Sequence, residues 1–124
     1  MAGFRLEVPR AALVITDPQV DFLSPRGLAW RLVGESVERN HTVDLAKRLR
    51  GAGVSQVVLA GMSANLCVES HLRALLESGF EVAVVEDATA AAALDEGDGY
   101  QAALVNFRYI ADALWSTDEA LRQI

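Results

Sequence analysis

The sequence holds one cysteine, one lysine and two histidines among its 124 residues. A single cysteine excludes an intramolecular disulfide and any metal cage built on paired cysteines. His41 and His71 stand apart, with no carboxylate pair beside them, so metal-ligand spacing is absent. No glycine-rich phosphate loop of either common type is present. On these grounds no metal and no cofactor is expected. Apolar runs stop far short of the roughly 18–20 residues that a bilayer span needs, so no membrane partner is expected. The opening MAGFRLEVPR carries charge where a signal peptide needs an apolar stretch. A lone thiol suits a reducing compartment, and a cytoplasmic location is the expectation. Repeats and linkers are also missing, so residues 1–124 are read as a single domain.

What is there is acidic and apolar. The net charge is −6, with 52% hydrophobic and 23% charged residues, a balance that excludes a disordered chain. The charge is uneven. Residues 1–62 carry eight Lys/Arg against six Asp/Glu, and residues 63–124 carry three against eleven. No basic stripe exists to meet phosphates, so nucleic acid is excluded as a partner. A small molecule or another protein chain is the expected one.

The apolar pattern predicts alternating strands and helices. Ala11–Thr16 (AALVIT), Gln56–Ala60 (QVVLA) and Glu81–Val85 (EVAVV) are short runs rich in branched residues, as in strands buried on both faces. Ala111–Trp115 is a fourth candidate strand. Helices are predicted over residues 42–50, 65–78, 98–109 and 117–124. In the second, Val68, Leu72, Leu75 and Leu76 fall on one face; in the third, Tyr100, Ala103, Leu104 and Phe107 do. Thr117 is the expected cap of the last helix. Residues 18–37 and the alanine-rich, acidic tract 87–96 read as loops. Phe4, Leu6 and Val8 alternate, which allows a short extra strand or an ordered arm. The order predicts an α/β domain, a three-layer sandwich around a short, mainly parallel sheet of about four strands.

Ligands of open parallel sheets bind beyond the carboxyl ends of the strands. The first strand ends at Asp17 and the second runs into GMSANLC. Cys67 therefore falls in the first turn of a helix, where unpaired N–H groups and the helix dipole favour a thiolate. The same N–H groups would suit an oxyanion. Asp17 is placed to take a proton from the thiol or from an attacking water. Plainer readings stand beside these. A free cysteine often serves as a small buried hydrophobe. An aspartate after a strand often accepts backbone N–H bonds in a turn. His71 lies one helical turn after Cys67 and shares its face.

The segments VITDPQVDFLSPRG, VVLAGMSANLCVESHLRALLESGFEVAVVEDATA and GDGYQAALVNFRYIADALWST resemble the isochorismatase-like cysteine hydrolases. The resemblance covers most of the chain outside about residues 30–50. It implies a Rossmann-like fold in reduced form, and a hydrolase that attacks an amide-type C–N bond of a small molecule. It places the nucleophile at Cys67 and the acid–base group at Asp17. It also implies a cis peptide between Met62 and Ser63, an oxyanion hole at Ser63 and Cys67, and a substrate pocket near Phe22, Asn65 and Leu66. The family's lysine lies at the end of a strand that has no counterpart here. Lys47 falls inside a helix instead, where a solvated lysine is the ordinary outcome. The Asp and His residues by which nicotinamidase-like members hold a metal also belong to the missing stretch.

Losing two outer strands would leave the first strand as a sheet edge. Such an edge invites pairing with another chain, so a homo-oligomer is expected. Three readings remain open: a small cysteine hydrolase, a reduced member that binds or assembles without catalysis, and a fragment of a longer enzyme.

Overall fold

The computed structural model describes residues 3–16, 26 and 45–124. The elements are β1 (Ala11–Thr16), α1 (Leu45–Gly51), β2 (Gln56–Met62), α2 (Glu69–Glu77), β3 (Glu81–Ala90), β4 (Ala93–Leu94), β5 (Gly97–Asp98), α3 (Gly99–Ile110), β6 (Ala113–Trp115) and α4 (Thr117–Leu121). A wide π-type turn, Ala64–Val68, joins β2 to α2.

The main sheet has the order β1-β2-β3-β6, and every neighbouring pair is parallel. Side chains of a strand alternate between faces, so each face collects its own residues. Val57, Leu59, Val82 and Val84 face one way. There they meet Leu72 and Leu75 of α2 and Ala103, Leu104 and Phe107 of α3. Leu45, Ala46 and Leu49 of α1 pack against the same cluster. Val58, Ala60, Ala83, Val85 and Trp115 face the other way, under Ala120 of α4 and the arm residues Phe4 and Leu6. The result is the three-layer α/β sandwich that the alternating pattern predicts. Burial of each large apolar side chain stabilises it by roughly 1.5–3 kcal/mol.

The N-terminal segment is an ordered arm rather than a strand. Gln56, buried at the start of β2, fastens it. Its Oε1 accepts from Glu7 N at 2.6 Å, and its Nε2 donates to the Arg5 carbonyl at 3.0 Å. Phe4 then meets Trp115 with ring centroids 5.2 Å apart.

Two sequence expectations are corrected. The tract 87–96 is not all loop, because β3 continues to Ala90 and a two-residue hairpin, β4 with β5, follows. The extension pairs with the end of β2 after a register jump, Leu59 opposite Val84 but Gly61 opposite Thr89. Gly61 takes φ 117°, a conformation glycine alone adopts without steric cost. The last helix is capped by Ser116 rather than Thr117. Ser116 Oγ accepts from Glu119 N at 3.2 Å, and Glu119 Oε2 accepts from Ser116 N at 2.7 Å. This reciprocal box satisfies two free N–H groups, which a cap at Thr117 would not. Among the described residues, no helix is long and apolar enough to cross a membrane.

Candidate active site

The site is built at the carboxyl end of β2. The peptide bond between Met62 and Ser63 is cis. The Ser63 carbonyl then accepts from both Leu66 N and Val68 N at 3.1 Å. The bond from Val68 spans five residues, which makes this turn wider than an α-helical one. Single π-type turns of this kind recur at functional sites. Cys67 lies within the turn and is half-buried. Ala64 and Val68 are fully buried and seat the turn against the core.

Asn65 is drawn into the turn. Its carboxamide oxygen accepts from Ser63 Oγ at 3.0 Å. Leu66 and Met62 are more than half exposed and flank the turn. His71 Nδ1 lies 2.6 Å from the Cys67 carbonyl oxygen, so this nitrogen carries the proton and donates it. The imidazole is thereby committed to the helix backbone. Lys47 lies within α1, on its exposed side.

The structure thus brings Met62, Ser63, Asn65, Leu66 and Cys67 into one turn. Asp17 and Phe22 lie outside the described residues. Asp87, in β3, has a structural task. Its Oδ1 accepts from Thr117 N and Thr117 Oγ1, both at 2.7 Å, and holds the start of α4.

Three residues that the sequence reading passed over adjoin the turn: Glu69, Gly99 and Asn106. Glu69 opens α2, and its carboxylate is bound by Arg73 and Asn106. Gly99 opens α3, directly after its cap Asp98, whose Oδ1 accepts from Tyr100 N and Gln101 N. A polar Asn106 three residues after Ala103, on the flank of an apolar stripe, was the available signal.

Residues 41–119 match the model of the isochorismatase domain. The chain is 33% identical over 86 residues to the uncharacterized isochorismatase family protein YecD of Escherichia coli O157:H7. That match covers 69% of this chain and 40% of the relative. Among solved structures, the chain is similar to an isochorismatase-like hydrolase from Alkaliphilus metalliredigens, with 25% identity and a TM-score of 0.58. It covers 64% of this chain and 42% of that one. The chain therefore spans less than half the length of either relative. A cysteine hydrolase from Pseudomonas syringae pv. phaseolicola 1448A shares the fold, with a TM-score of 0.72 over 97% of this chain and 94% of that one. At 15% identity, that is a likeness of fold alone.

Proposed function

Since the chain belongs to the isochorismatase domain family, we propose that it is a cysteine hydrolase acting on an amide-type C–N bond of a small molecule. The observation that carries this reading is the seat of Cys67, in a wide turn at the carboxyl end of a parallel strand. Cys67 acts as nucleophile and Asp17 as acid–base group. The thiolate adds to the carbonyl carbon, and the oxygen takes up the electron pair beside the backbone N–H groups of Ser63 and Cys67. The C–N bond then breaks, and the leaving amine takes the proton that Asp17 removed from the thiol. Water, deprotonated by Asp17, cleaves the thioester and frees the thiol. Phe22, Asn65 and Leu66 border the substrate.

Alkylation of Cys67 by iodoacetamide across pH tests the reading, and a single cysteine makes the signal unambiguous. Rapid reaction already near neutral pH is expected, as for a poised nucleophile. A rate profile matching that of the same chain unfolded in urea would refute it.

A second reading is assembly without turnover, and one observation favours it. Leu13 and Ile15 of the edge strand β1 are 67% and 69% exposed. They border an apolar groove of about 350 Å³ that Leu6, Val8, Leu121 and Ile124 also line. We propose that the chain is a homo-oligomer joined through this edge. Sedimentation showing only monomer at high concentration would refute it. In this second reading Cys67 reacts as an ordinary thiol and the oligomer persists.

A further inference from the structure

The turn that carries Cys67 is held from two sides by one helix that contributes nothing to it in sequence. The first hold lies two residues before the cysteine. Gly99 approaches the side chain of Asn65 so closely that a Cβ on residue 99 would fall 2.7 Å from Asn65 Nδ2 and 2.9 Å from Asn65 Cγ. It would also fall 2.8 Å from the Ala92 carbonyl oxygen. Gly99 leaves the space that the Asn65 carboxamide, the acceptor of the Ser63 Oγ bond, occupies. The second hold lies two residues after the cysteine. Asn106 Nδ2 donates to Glu69 Oε1 at 3.1 Å and to Glu69 Oε2 at 3.0 Å. The Glu69 side chain is only 15% exposed, so these bonds act in a partly dry setting.

Gly99 and Asn106 are seven residues apart, two helical turns, and so present one face of α3 to the turn. The helix itself is rigidly seated. Ala103 and Leu104 are buried between the two holds, Phe107 is buried just after the second, and Asp98 caps its start. Gly99 N also donates to the Ala92 carbonyl at 3.1 Å.

We propose that α3 is the positioning element of the Cys67 turn, with Gly99 and Asn106 as positioning residues that act through Asn65 and Glu69. The proposal rests on Cys67 being the nucleophile. Displacing either hold lets the turn drift, and the thiol loses its alignment with the N–H groups around it. A small displacement of a reacting group is enough to be felt in rate.

The test compares the iodoacetamide pH profile of the wild-type protein with those of Gly99→Ala, Asn106→Ala and Leu104→Ala. Thermal unfolding is recorded for each. Gly99→Ala and Asn106→Ala are expected to slow the neutral-pH reaction several-fold and move the profile toward that of the urea-unfolded chain. Leu104→Ala removes core packing from the same helix without touching either hold. It is expected to lower the unfolding temperature at least as much, yet keep the wild-type profile. Asn106→Ala introduces no clash, so it carries the test if Gly99→Ala fails to fold. Profiles of both hold variants that superimpose on wild type overturn the proposal, as does an equal shift in Leu104→Ala. A wild-type profile that already matches the unfolded chain overturns the nucleophile reading, and the positioning proposal falls with it.

Discussion

Tyr100 shows how a single side chain couples the site region to pH. Its hydroxyl donates to the Glu86 carbonyl at 2.9 Å, the same oxygen that accepts from Thr89 Oγ1. The Tyr100 bond ties α3 to the bulged part of β3, where Thr89 bonds back to the same carbonyl. Burial, and then the negative charges of Glu86 and Asp87, push the phenol above its ordinary value of 10.0. The folded protein therefore holds this proton more tightly than the unfolded chain. That contribution is fully present below the unfolded value and is lost as pH rises through the folded one. Tyr100→Phe is expected to cost about 1 kcal/mol at neutral pH, the worth of one hydrogen bond. The gap to wild type should close as pH rises past 10.0. Denaturant titrations at several pH values check this, and a constant gap would refute it. At this scale the sequence was only partly legible. The place of Cys67 after a strand could be read from the order of apolar runs and glycines. The holds at Gly99 and Asn106 could not, because they join residues more than thirty positions apart that only the packed helix brings together.

Among the elements, α4 is the most exposed to a local test. It is five residues long, too short to persist without its cap and its seat on the sheet. Ser116→Ala removes the cap and is expected to cost about 1 kcal/mol. The backbone N–H of Ser116, followed by its hydroxyl, holds the Glu119 carboxyl below its ordinary value of 4.5. Stability from that bond is present above the unfolded value and is lost as pH falls through the folded one. The difference between Glu119→Ala, which removes both bonds to the carboxylate, and wild type should therefore shrink in acid, measurable by thermal unfolding at stepped pH. A difference that grew in acid would contradict the box. The strands and long helices were legible because their apolar positions repeat with the period of each element. The end of β3 was not. Its alanines, Ala88 and Ala90, have little strand character, and pairing with Gly61 and Met62 across a register jump makes the segment a strand. The cap moved by one residue because Ser116 and Glu119 satisfy each other, a pairing that Thr117 and Ala120 cannot make.

At the scale of the whole molecule, the proposed association turns on β1, which ends the main sheet among the described residues. The strand contains no charge, no proline and no bulge, the usual devices that keep an edge from pairing. Leu13→Lys with Ile15→Lys is expected to abolish self-association while leaving the unfolding of the single chain within about 0.5 kcal/mol, since both side chains are exposed. Sedimentation and denaturant unfolding together check this, and undiminished association would refute the edge as the joint. That β1 ends the sheet among the described residues was legible from the strands missing against the family motifs, and the apolar groove beside it was not. All four strands run parallel, so their carboxyl ends, and the Cys67 turn with them, share one rim. A two-fold axis through paired β1 strands would run those strands antiparallel and put the two rims at opposite ends of the joined sheet. A strand of this length spans about 20 Å. A dimer joined in this way would therefore hold its two Cys67 thiols apart, each at its own end of the shared sheet.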